Sequence, residues 1–285
     1  MAEYEPVDPP VALTIAGSDS GGGAGIQADL TAMTAHGVFG TAVATATTAQ
    51  NTRGVEDVNP LPADHVASQY AAVAGDFDVA AVKTGMLATA EIVARVTELV
   101  ADVDAPLVVD PVKVAATGDR LLSPAAEDAY EALIAAATLA TPNADEAAVL
   151  TDEPVETPAD AERAGRELVA LGADAALVKG GHIDRESGDG VVVDTLVRGD
   201  VDGGDGEGSR SGVVVDRFET PRIDTDATHG SGCALSSAIA ARLARGESLR
   251  EAVGVAVEGM TEAVRRGYDV GEGPGAVNPT VLGEE

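Results

Sequence analysis

The residues with the clearest chemical potential form the segment Gly230-Ser231-Gly232-Cys233, which precedes a run of small residues typical of a helix. Two glycines permit a sharp turn, and the first turn of a helix leaves several N–H groups without partners. These N–H groups and the helix dipole favour an anion such as a phosphate. Cys233 is the only cysteine, and a helix N-terminus favours its ionised form, so that it could act as a base or nucleophile. The alternative is a helix cap with a small buried thiol behind it.

The chain has only three lysines, and each lies within a few residues of the end of a predicted buried strand. They are Lys83, Lys113 and Lys179. Ligand sites in open α/β sheets lie at the carboxyl ends of the strands, so these positions favour function over solubility as the reason for each lysine. Lys179, which is followed by two glycines, is the leading candidate of the three.

Asn143 and Glu146 form an Asn-x-x-Glu pattern at the start of a predicted helix. An Asn before a helix and a Glu three residues later commonly cap the helix through reciprocal hydrogen bonds. The alternative is that both side chains hold a hydrated Mg²⁺ ion, which prefers one or two carboxylates together with phosphate oxygens. The two residues by themselves leave both interpretations open.

Several common sites are not expected from the sequence. The segment 23–28, GAGIQA, matches a relaxed dinucleotide-binding pattern, but the next predicted strand ends in Thr48-Ala49-Gln50 and lacks the required acid. The Gly-Lys-Ser/Thr signature of a P-loop is absent, and no Cys/His spacing supports a zinc site. No set of residues supports a hydrolase triad.

Predicted strands alternate with predicted helices along most of the chain. The strands cover 11–17, 41–50, 79–85, 106–111, 138–142 and 173–181, and the helices cover 26–37, 63–74, 89–102, 123–137, 143–150, 158–172, 232–245 and 248–266. This alternation predicts one α/β domain, a mostly parallel sheet with helices on both faces. Two further strands, 190–197 and 212–218, predict a small antiparallel hairpin. The acidic, Gly-rich segment between them predicts a mobile surface loop.

Composition narrows the class of protein. The net charge of −30 argues against nucleic acid and anionic membranes as partners, and 45% hydrophobic residues indicate a globular chain. Forty-eight acidic residues against 18 basic ones suggest a salt-rich cytoplasm, where surface repulsion is screened. A single cysteine cannot form an internal disulfide. The absence of a long apolar stretch or of a signal region at the N-terminus predicts a cytoplasmic protein.

Seven segments, taken in their order and spacing, resemble the hydroxymethylpyrimidine/phosphomethylpyrimidine kinases of thiamine synthesis, members of the ribokinase-like superfamily. The segments are GSDSGGGAGIQADL, TAQNTRGV, KTGML, VVDPV, TPNADEA, VKGGH and THGSGC. The resemblance covers about residues 11 to 268 of a single domain, 1–285. It implies an ATP- and Mg²⁺-dependent enzyme that phosphorylates the hydroxymethyl group of an aminopyrimidine and then the resulting monophosphate, and it implies a homodimer.

The resemblance also implies roles for individual residues. Gly230, Ser231, Gly232 and Cys233 become the anion hole, with Cys233 in the place where most relatives in the superfamily carry a catalytic Asp. Gln50, Asp29 and Met86 fall on the pyrimidine-site motifs, with Ala24 and Val112 close by. Lys179, Asn143, Glu146 and Asp110 fall on the Mg-ATP side, with Asp110 and Glu146 as metal ligands. The acidic segment near 199–211 is longer than the resemblance implies.

Gln50 suits an aminopyrimidine, because its amide offers an acceptor and donors side by side. The acceptor can take the exocyclic amine while a donor reaches the adjacent ring nitrogen. Two alternatives stay open: a pyridoxal kinase, since related enzymes phosphorylate the hydroxymethyl group of that ring, and a non-catalytic pyrimidine-binding sensor on the same fold.

Overall fold

The computed structural model describes residues 5–112, 124–183, 190–199 and 212–284. Lys113 and the acidic segment from residue 200 to 211 lie outside these ranges. The strands are β1 Val11–Ala16, β2 Phe39–Ala44, β3 Ala46–Asn51, β4 Gly54–Pro60, β5 Val79–Thr84, β6 Leu107–Val109, β7 Leu139–Ala140, β8 Ala175–Val178, β9 Val191–Gly199 and β10 Val213–Pro221. The α-helices are α1 Gly25–Ala35, α2 Ala63–Ala74, α3 Ala90–Val100, α4 Pro124–Ala135, α5 Ala144–Thr151, α6 Pro158–Leu171, α7 Ser231–Ala244 and α8 Leu249–Arg265.

Eight strands form one sheet in the order β10-β9-β8-β7-β6-β5-β1-β2. The pairs from β2 through β8 are parallel, whereas β9 runs antiparallel to both β8 and β10. Helices cover both faces: apolar residues of α2, α3, α4 and α6 form one core cluster, and those of α1, α7 and α8 form another. The predicted fold class is therefore confirmed.

Two details differ from the sequence-based expectation. The single strand predicted over 41–50 is two strands, β2 and β3, and β3 pairs with β4 in a separate two-stranded antiparallel sheet. Strand β4, GVEDVNP, is largely exposed and carries no apolar pattern, so nothing in its sequence indicated a strand. The predicted antiparallel hairpin is confirmed as β9–β10, and it extends the main sheet.

Strand β2 forms one border of the large sheet. Gln69 of α2 lies against this border: its Oε1 accepts from the N–H of Ala44 and its Nε2 donates to the carbonyl of Ala44, both at 3.0 Å. The side-chain amide thus takes the place of one peptide group of a neighbouring strand. None of the helices in the described ranges combines the length and the apolar character needed to cross a membrane.

Candidate active site

The candidate site lies at the carboxyl ends of β1, β5, β6 and β8, beside the first turns of α1 and α7. A glycine-rich loop, residues 18–24, connects β1 to α1. This loop touches the turn before α7: Gly230 has φ +79°, and a Cβ on it would lie 1.9 Å from the carbonyl oxygen of Gly23. Only glycine therefore fits where the two loops meet.

The turn before α7 has the form expected of an anion-binding nest. Ser231 N donates to the carbonyl of Thr228, and Ala234 N makes the first bond of the helical ladder, to Gly230. Between them, the N–H groups of Gly232 and Cys233 have no acceptor within the described part of the chain. Unpaired N–H groups at the positive end of a helix dipole attract an anion.

The pKa of the Cys233 thiol differs from the prediction made from the sequence. Burial raises the pKa of its thiol to about 11, and the carboxylates of Asp29 and Asp110 act in the same direction. The Lys83 ammonium and a hydrogen bond from the backbone of Gly25 oppose the shift but do not cancel it. The helix N-terminus therefore does not produce a thiolate near neutral pH, and the sequence-based expectation of a lowered pKa is wrong for this arrangement.

Asp29 corrects a second expectation, because its side chain has no exposed surface. Both of its oxygens bind Lys83 Nζ, at 2.8 and 2.9 Å. Thr14 Oγ1 donates to it at 2.6 Å and Ser237 Oγ at 2.8 Å. Asp29 lies on the inner face of α1 with Ala32 and Met33, so it cannot contact a substrate directly.

Lys179, Asp110 and Glu146 form a second charged cluster, at the mouth of the site. Lys179 Nζ lies 2.9 Å from Asp110 Oδ1 and 3.9 Å from Glu146 Oε2, and its side chain keeps 13% of its surface exposed. Burial opposes its charge, but the two carboxylates outweigh burial and raise the pKa of Lys179. A Cβ on Gly232 would lie 3.1 Å from Lys179 Nζ, so the cluster borders the nest.

Asn143 and Glu146 also cap α5, as the first interpretation of their spacing predicted. Glu146 N donates to Asn143 Oδ1, and Asn143 N donates to Glu146 Oε2, both at 2.8 Å. Asn143 also pairs with Lys179 through a short parallel bridge. The capping box therefore holds Glu146 beside Lys179, and capping and site-building coincide.

The other sequence-predicted residues are Gln50, Met86, Val112 and Ala24. Thr48 Oγ1 donates to Gln50 Oε1 at 3.2 Å, and Gln50 Nε2 lies 3.4 Å from His229 Nε2. Met86 and Val112 belong to one small apolar cluster together with Ala46, Ala88 and Val58. The N–H of Ala24 donates to Asp19 at 2.9 Å. The Gln50 amide is thus linked to the nest through His229, the residue before Gly230.

Asp19 and His229 are site residues that sequence reasoning missed. His229 Nε2 lies 3.0 Å from Asp19 Oδ2, and Asp19 also accepts from the N–H groups of Gly21, Gly23 and Ala24. Burial disfavours the charged carboxylate, but these hydrogen bonds outweigh it and lower the pKa of Asp19. Both residues lie within segments singled out in the sequence, at the end of β1 and just before Gly230, so position alone could have indicated them.

The chain matches the family model described as phosphomethylpyrimidine kinase over residues 19–278, a range that includes every sequence-predicted site residue from Ala24 to Cys233. It is 48% identical over 278 residues to the hydroxymethylpyrimidine/phosphomethylpyrimidine kinase of Streptomyces coelicolor, with 97% of each chain covered.

Two solved structures share the fold. The phosphomethylpyrimidine kinase of Clostridium difficile superposes with a TM-score of 0.74 at 38% identity, covering 90% of this chain and 99% of that one. The pyridoxal kinase of Bacillus subtilis, in an ADP complex, gives a TM-score of 0.83 at 31% identity, covering 96% and 99%. The family match and the identity over almost the whole length agree with the resemblance found in the sequence, and the chain belongs to the phosphomethylpyrimidine kinase family.

Proposed function

We propose that this protein transfers a phosphoryl group from ATP to 4-amino-5-hydroxymethyl-2-methylpyrimidine and then to its monophosphate, giving the pyrimidine diphosphate for thiamine synthesis. The observation that carries this proposal is the position of the nest. Gly232 of the nest borders a lysine–carboxylate cluster suited to a polyphosphate, and His229, just before the nest, contacts Gln50, whose amide is suited to a flat heterocycle.

Residues on the Lys179 side fit a magnesium nucleotide. In the described ranges no group of three or more His, Cys, Asp and Glu could hold a metal on its own. Asp110 and Glu146 supply two carboxylates beside Lys179, which matches the preference of Mg²⁺ for few protein ligands and several phosphate or water oxygens. When bound, Mg²⁺ neutralises charge on the phosphates. Asp110 and Glu146 would hold it, and Lys179 would bind phosphate oxygens.

The reaction itself needs alignment and charge stabilisation more than covalent help from the protein. The N–H groups of Gly232 and Cys233 have no acceptor in the described ranges and would bind the transferring phosphoryl group without first breaking a protein hydrogen bond. Gly230 and Ser231 set the direction of these N–H groups by fixing the turn.

Recognition of the pyrimidine is assigned to Gln50, Met86, Val112 and the backbone at Ala24. Gln50 would exchange its contacts with Thr48 and His229 for the exocyclic amine and the neighbouring ring nitrogen. Met86 and Val112 would pack against the ring, and the backbone at Ala24 would close one side of the pocket. Asp29 is not part of this contact surface, since it is sealed beneath it.

Cys233 is the side chain at the nest that is available to accept the proton of the attacking hydroxyl. With a pKa of about 11, only about one thiol in 10⁴ is ionised at pH 7, a fraction that rises tenfold with each pH unit. The proposed base therefore acts from a small ionised population, and the rate should follow that population.

A pyridoxal kinase is the second candidate, and the fit to the Bacillus subtilis enzyme is the observation that favours it. Parallel turnover assays with ATP separate the two: the aminopyrimidine alcohol, its monophosphate and pyridoxal are compared under one set of conditions. We expect both pyrimidines to be phosphorylated and pyridoxal to be a poor substrate. Efficient use of pyridoxal alone would overturn the proposal, and binding of the alcohol without any turnover would identify a sensor.

Two further properties complete the proposal. We infer a homodimer by analogy with the family, which sedimentation of the purified protein would test. We also infer a cytoplasmic location, since ATP, the phosphoryl donor, is abundant there.

A further inference from the structure

Lys83 and Asp29 form an ion pair without any exposed surface, close to the nest. Asp29 accepts four hydrogen bonds: two from Lys83 of β5, one from Thr14 of β1 and one from Ser237 of α7. Burial alone would lower the pKa of Lys83, but the Asp29 carboxylate outweighs it, so the lysine stays charged. One carboxylate thus ties two strands and two helices together.

The elements that meet at this pair are those that build the site. Asp29 lies one turn into α1, which begins where the glycine-rich loop ends. Ser237 lies one turn beyond Cys233 in α7. Lys83 precedes Gly85 and Met86, and a Cβ on Gly85 would lie 2.9 Å from Lys83 Nζ. The hydrogen bond from Ser237 to Asp29 therefore joins the starts of both helices that border the nest.

Stability alone gives little reason to keep this pair. Removing two charges from water costs several kcal/mol per ion, and apolar residues of similar volume are often as stabilising or more so. The neighbouring positions on α1 and α7, such as Ala28, Ala32, Ala234 and Ala238, are indeed apolar. The Lys83–Asp29 pair lies where the first turns of α1 and α7 meet beside the Cys233 thiol.

We propose that Lys83 and Asp29 are positioning residues of the phosphoryl-transfer site, which fix the first turn of α7 against α1 and set the charge beneath Cys233. The inference rests on the proposed function. Four charged groups act on Cys233: Lys83 and Lys179 from two strand ends, Asp29 from α1, and Asp110 after β6. Asp29 also holds α7, because it accepts a hydrogen bond from Ser237 at 2.8 Å, and Asp110 makes a longer contact with the same helix, from Ser236 at 3.5 Å.

The experiment uses the fact that Cys233 is the only cysteine of the chain. Its alkylation by iodoacetamide can be followed against pH in the full-length protein, and the rate reports the thiolate fraction. Asp29→Asn removes a negative charge and leaves the Lys83 ammonium without its counter-charge. We expect the midpoint of the alkylation profile to move down by about one pH unit, which makes alkylation at pH 8 about tenfold faster.

Asp216→Asn is the matched control. This change also removes a paired carboxylate: Asp216 lies on the border strand β10 and binds Arg198 of β9 and Arg250 of α8. Its alkylation profile should match the wild type. A wild-type midpoint in folded Asp29→Asn protein would overturn the inference about charge.

Two other variants test the positional part. Ser237→Ala keeps the ion pair but removes its link to α7, and we expect kcat to fall about tenfold while the alkylation midpoint and both KM values stay unchanged.

The neutral double variant Lys83→Met, Asp29→Leu covers the case in which Asp29→Asn does not fold. It should keep its melting temperature and lose at least tenfold in kcat, and near-normal kcat would overturn the inference.

The alkylation profiles do not depend on catalysis. A wild-type protein without kinase activity would therefore contradict the proposed function and leave the Lys83–Asp29 inference to be decided by alkylation alone.

Discussion

Two lysine–aspartate pairs flank the start of α7, and they differ in what they leave free. Lys83 and Asp29 have no exposed surface, and Asp29 is saturated by four internal hydrogen bonds. Lys179 is shared between Asp110 at 2.9 Å and Glu146 at 3.9 Å and keeps contact with solvent. The first pair is sealed and the second is open. The same residue types thus form part of the framework in one place and, in the proposed function, a binding surface in the other.

Cys233 lies between the sealed and the open pair, and its removal should give the largest effect. We expect Cys233→Ala to lower kcat for the alcohol by about 10²–10⁴, the usual contribution of a general base, while binding of Mg-ATP and pyrimidine persists. The second phosphorylation should lose less, because its phosphate nucleophile is already ionised. Rapid-mixing assays of both steps measure this. Near-normal turnover would make Cys233 only a helix cap.

The pH profile of the wild type is the control for that variant. Because the pKa of Cys233 is about 11, kcat/KM should rise with pH between about 7 and 9 without reaching a plateau. The Cys233→Ala profile should be flat over that range. A wild-type plateau near neutral pH would contradict a base with so high a pKa.

Removal of Lys179, the cation of the open pair, should have the next largest effect on kcat. Lys179→Met removes a cation aimed at phosphate oxygens, and the loss of one such donor typically costs about 10²–10³ in kcat. Steady-state kinetics with varied ATP and varied pyrimidine should show the effect on kcat and on the KM for ATP. The KM for pyrimidine should hardly change. A loss of folding stability without a kinetic effect would instead place Lys179 with the sealed group.

Gln50 resembles the open Lys179 pair, because in the proposed function it also has to exchange contacts within the protein for contacts with a ligand. Gln50→Ala should cost on the order of 1–3 kcal/mol in binding of the aminopyrimidine, the range for a buried polar group that loses its partner. Pyridoxal lacks an amine beside a ring nitrogen, so its binding is the internal control. Equal losses for both ligands, measured by calorimetry, would show that Gln50 only shapes the pocket.

His36 is a sealed group without a counter-charge. It is 2% exposed, and its ring nitrogens have no hydrogen-bond partner in the described ranges. Burial, with the nearby Arg242 and Arg245, lowers the pKa of His36 from 6.5 to about 4. The unfolded chain therefore binds a proton that the folded chain does not, and stability should fall as pH falls from 6.5 towards 4.

The expected loss in the free energy of unfolding caused by His36 is about 1.5 kcal/mol between pH 6.5 and pH 5. Denaturant unfolding of His36→Gln should show less of this loss, whereas His65→Gln, at an exposed position of α2, should behave as the wild type. Identical pH dependence in all three proteins would mean that His36 does not titrate in this way.

Salt should change the contribution of exposed charges to thermal stability much more than that of buried ones. Of the effects predicted here, this one should be the smallest. The chain carries a net charge of −30, and the screening length shrinks from about 10 Å at 0.1 M salt to about 3 Å at 1 M. We expect the melting temperature to rise by roughly 3–6 °C over that range, or about 1–2 kcal/mol. A constant melting temperature would remove the hypothesis of a salt-rich habitat and leave the kinase assignment intact.

The sequence was sufficient for the parallel strands and the helices, because their apolar patterns are strong. Strand β4 has no such pattern and is held by pairing with β3, which local sequence does not reveal. Asp29 could have been placed correctly from helical periodicity, since it shares a face with Ala32 and Met33. Its assignment to the substrate site came from motif position, which does not separate a contact residue from the residue beneath it.

The pKa of Cys233 could not be predicted from the sequence for a different reason. The helix N-terminus is a local feature, but burial and the charges of Asp29 and Asp110 depend on residues more than 100 positions away in the chain. The same applies to the contact of Asp19 with His229, which joins the first and last thirds of the chain. Electrostatics of this kind becomes predictable only once the fold is known.

The side-chain amide of Gln69 bears on the tendency of the protein to aggregate at high concentration. A border strand with free peptide groups can accept a strand from another molecule, and this is a common start of aggregation. By occupying both the donor and the acceptor of Ala44, Gln69 blocks strand addition at the carboxyl end of β2. Helix α2, which carries Gln69, should therefore hinder the addition of a strand from another molecule at this position.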